Sequence, residues 1–288
     1  MSQAKKATLA ALITVLLWSS AFPAIRIGLR AFEPIPLAAL RFSLAGFLML
    51  IWLLWRRPAL PNLKDFLLLA ICAFVGIAGY NILLNSGQRT VSAGAASFIV
   101  NTVPVITALL AVSFLAERFR IWAWIGTAIS MAGVAIIALG KSGPLIFGLD
   151  AFLILAAAVC QATFFILQRS LIKTYGPSFC AASVIVLGAI WLGPWLPVAV
   201  EQAKTAPVSA LIAVAYLGIF PAAIGYITWA IAQAYFGASR AANFLYLVPL
   251  FATGLAIPIA NEIPTYSTLI GGGLAVLGVF VVNTRGRL

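Results

Sequence analysis

The sequence predicts an all-α polytopic membrane protein that crosses the bilayer ten times. Composition is the first indication, because 64% of the residues are hydrophobic, 8% are charged and the mean hydropathy is +1.11. A soluble domain carries about 25% charged residues. Length is the second indication. An apolar run of about 20 residues is needed to cross the hydrocarbon core of a bilayer, and ten such runs with short loops account for nearly the whole chain. No separate soluble domain is therefore expected.

Each predicted span is an apolar run bounded by charged residues, proline or glycine. The runs fall near residues 8–29, 36–55, 65–87, 92–115, 120–140, 148–170, 178–199, 207–235, 239–260 and 266–284. The first run follows Lys5 and Lys6 in the manner of a signal peptide. Because nine more runs follow it, we expect it to be retained as the first helix.

A four-residue pattern occurs twice, 145 positions apart. The residues are Pro104, Glu117, Gly126 and Gly133 in the first half and Pro249, Glu262, Gly271 and Gly278 in the second. Weaker matches, such as Phe22 with Phe165 and Gly79 with Gly225, run through the rest of both halves. The sequence therefore predicts two repeats within a single membrane domain, the first over residues 1–143 and the second over residues 144–288.

The second repeat is predicted to lie upside down relative to the first. Each repeat holds five predicted helices, and an odd number of spans reverses the direction in which the next repeat enters the bilayer. With both termini in the cytoplasm, twelve basic residues lie inside and six outside, namely Arg26, Arg30, Arg41, Arg89, Lys141 and Lys204. Since basic residues accumulate in cytoplasmic loops, this orientation is favoured. It places Glu117 at a cytoplasmic helix end and Glu262 at an external one.

Several classes of function are disfavoured by residue types that the chain lacks. The sequence contains no histidine, and Cys72, Cys160 and Cys180 lie singly in apolar segments. We therefore expect no catalytic residue, no metal site and no cofactor, and an enzyme is disfavoured. The net charge of +12 comes from basic residues scattered among loops, so nucleic-acid binding is not expected. The expected partners are the lipid bilayer and a small-molecule substrate.

The motifs resemble a known family over essentially the whole chain. They are Leu16–Arg26 (LLWSSAFPAIR), Ala93–Ala96 (AGAA), Pro104, Leu115–Arg118 (LAER), Gly126 and Gly133, with Pro249, Glu262, Gly271 and Gly278 in the second half. They are similar to the EamA repeat of the drug/metabolite transporter superfamily, and most similar to the YddG-like aromatic and broad-range amino acid exporters. The resemblance implies a ten-helix carrier of the bacterial inner membrane that exports metabolites. One departure is Gln161, where many relatives carry a tryptophan as Trp18 does here, and it bears on substrate choice.

Polar and aromatic residues are expected to form the substrate site, because no acid, histidine or lysine lies in the middle of a predicted span. Asn81, Asn85 and Gln88 follow the i, i+4, i+7 spacing that places side chains on one helix face. We expect the first, third, fourth, sixth, eighth and ninth helices to enclose a cavity suited to a small zwitterion. The predicted substrate-binding residues are Trp18, Asn81, Asn101, Gln161, Tyr226, Trp229, Asn243 and Tyr246. The alternative is that these side chains only join helices through hydrogen bonds.

Other residues of the repeated pattern have predicted mechanical roles. Pro104 and Pro249 are expected to kink the fourth and ninth helices and to act as hinges, with a static bend as the alternative. Glu117 and Glu262 are expected to cap helix ends or to pair with Arg118 or Arg120, with ion coupling as the alternative. The glycines are expected to let the fifth and tenth helices pack closely within a monomer, with a dimer contact as the alternative.

The expected function is export of amino acids or related small metabolites by alternating access. A proton-driven carrier usually needs a titratable group in its path, so the absence of one favours facilitated transport. Two alternatives stay open. One is a proton-coupled exporter of drugs or other metabolites, and the other is a channel, although the sequence has no filter motif or ring of charges.

Overall fold

The computed structural model describes residues 2–115, 121–139 and 149–285. Within these ranges every regular element is helical, and none is a β-strand. The α-helices are α1 (Gln3–Gly28), α2 (Pro34–Arg56), α3 (Leu63–Ala73), α4 (Tyr80–Gly87), α5 (Ala93–Val100), α6 (Val103–Leu115), α7 (Ile121–Leu139), α8 (Leu149–Tyr175), α9 (Pro177–Leu192), α10 (Leu196–Thr205), α11 (Val208–Leu217), α12 (Gly225–Phe236), α13 (Ala238–Ala242), α14 (Val248–Ala260) and α15 (Tyr266–Arg285). Short segments join some of them, two π-helical (Phe74–Gly79 and Gly218–Ile224) and two 3₁₀ (Gly193–Trp195 and Asn243–Leu247).

Local sequence explains where several helices begin. Pro34 begins α2 and Pro177 begins α9, at a position where the missing amide hydrogen has no intrahelical partner to lose. The Asn62 side chain caps α3 by accepting a hydrogen bond from the Asp65 amide at 2.8 Å. Because Pro34 and Pro177 are 143 positions apart, the second helix of each half begins in the same way.

The predicted membrane-spanning architecture is confirmed. Six helical stretches are long and apolar enough to cross a bilayer: Gln3–Gly28, Pro34–Arg56, Leu63–Gly87, Leu149–Tyr175, Pro177–Thr205 and Val208–Phe236. Three shorter apolar helices cover Ala93–Thr107, Phe244–Ala260 and Tyr266–Gly278. A helix or an interrupted helix occupies each predicted run, but the count of ten spans stays a prediction.

The predicted third and eighth helices are not continuous α-helices, because each contains a π-helical segment. The two segments occur at equivalent positions of the two halves, since Gly76 in one and Pro221 in the other are 145 positions apart. The wider π turn removes carbonyl groups from the regular hydrogen-bond ladder. Pro221, which has no amide hydrogen, lies inside the second segment and explains the interruption there.

The predicted fourth and ninth helices are broken, which corrects the expected kinks at Pro104 and Pro249. Helix α5 ends at Val100 and α6 begins at Val103, so Pro104 is the second residue of a new helix. Pro249 is likewise the second residue of α14, directly after the 3₁₀ segment. A proline at this position sacrifices no hydrogen bond. The break therefore precedes each proline, and neither ring bends a continuous helix.

Helices α7 and α15 pack backbone against backbone. A Cβ atom on Gly133 would meet the backbone of Gly271 and Ala275, and one on Gly278 would meet the backbone of Gly126 and Ser130. Residues 126 to 133 thus face residues 278 to 271, so the two helices run antiparallel. The two sets of contacts are equivalent by the repeat, because Gly133, Gly271 and Ala275 correspond to Gly278, Gly126 and Ser130 at an offset of 145 positions. The predicted close packing of these helices within one chain is confirmed.

The core lies between the two halves of the chain. Helix α1 packs against α12 and α14, while the equivalent helix of the second half, α8, packs against α4 and α6. These reciprocal contacts surround a cavity at the centre of the described residues.

Candidate functional site

A central cavity of about 50 Å³ lies between the two halves of the chain. Its wall is largely apolar and is formed by Trp18, Ala21, Phe22, Ile25, Arg41, Tyr80, Leu84, Ser97, Val100, Asn101, Val103, Gln161, Pro221, Tyr226, Leu245 and Val248. The predicted first, third, fourth, sixth, eighth and ninth helices all contribute, and α2 adds Arg41.

Four of the eight predicted substrate-binding residues line this cavity: Trp18, Asn101, Gln161 and Tyr226. Asn101 and Gln161 are each 3% exposed. The Asn101 amide makes no hydrogen bond through Oδ1 or Nδ2, and Gln161 makes none through Oε1. Buried amides are normally paired, so these two side chains are available to a polar ligand.

Aromatic rings form one side of the cavity. The Trp18 ring centroid lies 5.4 Å from that of Tyr226 and 5.3 Å from that of Trp229. Phe165 stacks on Trp18 with an interplanar angle of 8° and lies 4.7 Å from Trp229 between centroids. Trp229 is 1% exposed and supports this wall from behind instead of lining the cavity.

The two π-helical segments hold two aromatic side chains of the cavity wall through hydrogen bonds. The Trp18 indole donates from Nε1 to the Pro221 carbonyl oxygen at 3.2 Å. The Tyr226 hydroxyl donates to the Gly76 carbonyl oxygen at 3.3 Å. Because Gly76 and Pro221 are repeat-related, each half offers the same carbonyl to an aromatic donor. Any change in the π turns would therefore move the cavity wall.

The other predicted substrate-binding residues lie away from the cavity wall. Asn81 is fully buried and donates from Nδ2 to the Ile77 carbonyl oxygen at 2.7 Å, within the first π-helical segment. Tyr246 is partly buried in the 3₁₀ segment that precedes α14, and it does not line the cavity. The side chain of Asn243 lies outside the described residues.

The remaining polar residues of the third and eighth helices join helices, as the alternative interpretation expected. Asn85 donates to the Pro34 carbonyl oxygen at 2.9 Å, and Gln88 donates to the Phe22 carbonyl oxygen at 3.2 Å. In the second half, Gln233 accepts a hydrogen bond from Gln168. Polar spacing alone does not distinguish these side chains from Asn101 and Gln161.

Sequence analysis missed one cavity residue of evident chemical importance, Arg41. The orientation count placed it among the external basic residues, whereas the structure buries it in the cavity wall, 4% exposed. The available signal was its position five residues inside the predicted span at 36–55, too deep for a loop. Tyr80, one residue before the predicted Asn81, also lines the cavity and was not singled out.

An ion pair joins α1 to the segment that follows α14. The Glu262 carboxylate accepts from Arg26 Nε at 2.6 Å and from the Ala93 amide at 2.7 Å. Arg26 also donates to the carbonyl oxygens of Gln88 and Arg89, at 2.6 and 3.0 Å. The pair thus ties α1 and the start of α5 to the segment after α14. Glu262 therefore forms an ion pair, but with Arg26, whereas Arg118 and Arg120, the partners expected from the sequence, lie outside the described residues.

The ion pair faces a polar opening that we call the Arg26 vestibule. Its wall consists of Arg26, Leu29, Arg30, Arg89, Ala260, Asn261 and Glu262. At the opposite end, a smaller opening contains Arg169, Lys173 and Gln233. Glu117, the repeat-related counterpart of Glu262, lies outside the described residues. No group of three or more potential metal ligands occurs among the residues that were located.

Comparisons with known proteins identify similar chains. The profile of the EamA-like transporter family matches residues 5–139 and again residues 149–284. A probable terminal-alkyne amino-acid exporter from Streptantibioticus cattleyicolor is 36% identical over 97% of this chain and 94% of its own length. The Bacillus subtilis uncharacterized transporter YdfC is 38% identical over 91% and 86%, respectively. The Escherichia coli uncharacterized inner membrane transporter YedA is 28% identical over 90% and 79%.

A solved crystal structure of a protein with 21% sequence identity has the same fold. It aligns over 96% of both chains with a TM-score of 0.66.

Proposed function

Because this chain belongs to the EamA-like transporter family, we propose that it exports amino acids or related small metabolites across the bacterial inner membrane by alternating access. Membership of a transporter family also means that it is not an enzyme. The observation that carries the proposal is the central cavity, where the unpaired amide of Asn101 and the unpaired amide oxygen of Gln161 lie among aromatic and aliphatic side chains. An amide can both donate to a carboxylate and accept from an ammonium group.

The proposed substrate class and location draw on the relatives. One relative is named a probable terminal-alkyne amino-acid exporter, and another is named an inner membrane transporter. An amino acid of apolar side chain suits a wall that combines a few polar groups with aliphatic side chains such as Leu84 and Val248. The narrower similarity to YddG-like amino acid exporters is part of the same proposal.

The proposed mechanism uses two inverted repeats, residues 1–143 and 144–288, each with five spans. The two separate family matches support the duplication. The antiparallel, self-complementary contact of α7 with α15 supports a pseudo-two-fold axis between the repeats. Exchange of conformations between inverted repeats would open a central site alternately to each side. The basic residues favour cytoplasmic termini in this arrangement.

The proposed hinges are the breaks before Pro104 and Pro249, together with the two π-helical segments. Each break connects α6 or α14 to the preceding helix through a short segment that is not α-helical, residues 101–102 in the first half and Asn243–Leu247 in the second. Hinges commonly lie at such element ends, where a few residues absorb the change in backbone angles. Pro104 and Pro249 would fix the start of the moving helix, while residues 101–102 and the 3₁₀ segment Asn243–Leu247 bend.

We propose that transport follows the concentration gradient of the substrate. We also propose that the transporting unit is a monomer. No aspartate or glutamate lines the cavity among the residues that the structure describes, so a proton-coupling carboxylate is missing from that wall. The small-residue faces of α7 and α15 are used within one chain, which supports a monomer.

The proposal is tested by the initial uptake of labelled amino acids into proteoliposomes. A panel of neutral, charged and aromatic amino acids should reveal saturable uptake of apolar members, with no uphill accumulation under an imposed pH or sodium gradient. Uphill transport driven by either gradient would show that transport is coupled to that ion, and the proposal of facilitated transport would then be wrong. Ohmic single-channel currents in a planar bilayer would show that the protein is a channel and not a carrier.

Substitution of the unpaired cavity amides should weaken transport without unfolding the protein. Gln161→Ala and Asn101→Ala should each raise the substrate concentration for half-maximal uptake about three- to ten-fold, because one substrate hydrogen bond is worth about 0.5–1.5 kcal/mol. Gln3→Ala provides the matched control, since Gln3 is exposed at the start of α1. Unchanged uptake by both cavity variants would remove these amides from the substrate site.

A further inference from the structure

The central cavity holds a cation that the protein itself does not neutralise. The Arg41 side chain lines the cavity with its guanidinium carbon 4.8 Å from the Phe42 ring centroid, and its Nε and Nη1 atoms are buried without a hydrogen-bond partner. The chain has only six acidic residues, which are Glu33, Asp65, Glu117, Asp150, Glu201 and Glu262. Of these, the five in the described part of the chain lie outside the cavity wall. Arg41 therefore has no acidic partner among the described residues.

Arg41 lies inside α2 and not at its end. Arg41 is the eighth residue of α2, about 10 Å along the helix axis from Pro34 at 1.5 Å per residue. A Cβ atom on Gly218 would lie 2.8 Å from the Arg41 carbonyl oxygen, so α2 packs tightly on the second π-helical segment at this level. The backbone of Arg41 is thus held in place and its side chain is directed to the cavity.

An unpaired buried charge is unfavourable for folding, and within a membrane it marks a functional site by default. The planar guanidinium group matches a carboxylate, with two parallel charge-assisted hydrogen bonds. We propose that Arg41 binds the carboxylate group of the transported substrate. This assignment rests on the proposed transport function and names the chemical group that the cavity selects.

The rest of the cavity complements the other parts of an amino acid. Asn101 and Gln161 supply unpaired amide oxygens, which accept hydrogen bonds from an ammonium group. The faces of the Trp18 and Tyr226 rings also attract a cation. Aliphatic residues such as Val248 leave an apolar surface for the side chain. The substrate class is therefore an α-amino acid, or another small carboxylate, with an apolar remainder.

The charge of the Arg26 vestibule agrees with a carboxylate substrate. Arg26, Arg30 and Arg89 outnumber the one acid of its wall, Glu262. A surplus of positive charge in a narrow opening raises the local concentration of anionic groups. A carboxylate thus meets favourable charge both inside the cavity and at this opening.

Three compounds that share an isobutyl group separate the contributions of carboxylate and amine. L-Leucine carries both groups, L-leucinol lacks the carboxylate, and 4-methylpentanoate lacks the amine. Their binding is measured by the thermal stability of the purified protein, and their inhibition of labelled leucine exchange is measured in proteoliposomes. We expect leucine and 4-methylpentanoate to bind to the wild type, and leucinol to bind about ten-fold more weakly or worse, because a charge-assisted bond pair is lost.

Variants of Arg41 connect this preference to one side chain. Arg41→Gln should abolish the preference for leucine over leucinol, and Arg41→Lys should keep part of it. Arg56→Gln is the matched control, since Arg56 is exposed at the end of the same helix, 5.7 Å from the Trp55 ring centroid, and should leave the preference intact. Arg41→Gln removes an unpaired buried charge, so the thermal stability of the ligand-free protein should not fall.

The outcomes distinguish the Arg41 assignment from the transport function. Equal binding of leucine and leucinol to the wild type, an unchanged preference in Arg41→Gln, or no stabilisation by either carboxylate would overturn the assignment. If leucine and leucinol exchange equally well, transport stands and the assignment fails. If carboxylates stabilise the protein through Arg41 but no compound is exchanged, the assignment stands and the proposed transport fails.

Discussion

Gly278→Val should prevent normal folding of the protein, and Gly133→Val should have the same effect. A Cβ atom at Gly278 would overlap the backbone of Gly126 and Ser130, and the contact of Gly133 with Gly271 is just as close. A backbone cannot rotate aside as a side chain does, so α7 and α15 would have to separate. Overpacking a core costs about 1–3 kcal/mol, and backbone overlap places these variants at or above the top of that range.

The expected result is a lower melting temperature and the loss of a monodisperse peak when the protein is solubilised in detergent. Gly273→Val is the matched control on α15, because nothing lies within 4 Å of a Cβ atom built on Gly273. That variant should behave like the wild type. Equal damage by the variants at 273 and 278 would show that loss of helical glycine, and not the α7–α15 contact, is responsible.

Glu262→Gln should make the central cavity more accessible from the Arg26 vestibule. The carboxylate binds Arg26 and the Ala93 amide, and both groups are partly shielded from solvent. Hydrogen bonds to charged groups contribute about 1.5–3 kcal/mol, so loss of the charge should shift the conformational equilibrium about 10- to 100-fold toward the open state. Arg26 would keep its two carbonyl partners, Gln88 and Arg89.

The opening can be measured by the rate at which a membrane-impermeant thiol reagent modifies the cavity. A cysteine replaces Ala21, which lines the cavity, in a protein whose native Cys72, Cys160 and Cys180 are changed to alanine. Modification from the vestibule side should be at least about ten-fold faster in Glu262→Gln.

Glu201→Gln is the matched control for this charge. Glu201 pairs with Lys204 at the same 2.6 Å distance, but both side chains are largely exposed, at 73% and 65%. Exposed pairs contribute about 0–1 kcal/mol, so this variant should leave the modification rate unchanged. An unchanged rate in Glu262→Gln as well would show that the ion pair does not close the cavity.

The sequence predicts the helices well because membrane spans follow from hydrophobicity alone. Apolar length places α1, α2 and α8 within a few residues of their observed bounds. It gives no information on the π-helical segments, because a π turn keeps the apolar composition and changes only the hydrogen-bond spacing. For a related reason, the sequence predicts kinks at Pro104 and Pro249 and not the helix breaks that precede them. A proline marks a disturbance of a helix, but only three-dimensional packing decides whether it bends one helix or begins another.

The candidate site was predictable in part. Trp18, Asn101, Gln161 and Tyr226 are polar or aromatic residues inside apolar runs, which is a detectable signal. The same signal selected Asn81, which instead binds a carbonyl oxygen of its own helix. Arg41 was not predicted as a site residue, because the positive-inside rule assigns basic residues to loops and cannot identify a basic side chain that is buried in a cavity wall. Burial and partners, which decide these cases, depend on how α2 meets the second half of the chain.

Counterflow tests the central claim, that one cavity serves as a site open alternately to each side. Proteoliposomes are loaded with the unlabelled amino acid that shows the fastest uptake, then diluted into a trace of the same amino acid carrying a label. A carrier exchanges one molecule for another, so labelled substrate should accumulate transiently inside above its equilibrium level, and Gln161→Ala should diminish the overshoot. Simple equilibration of the label, at the same rate with and without internal substrate, would contradict the account.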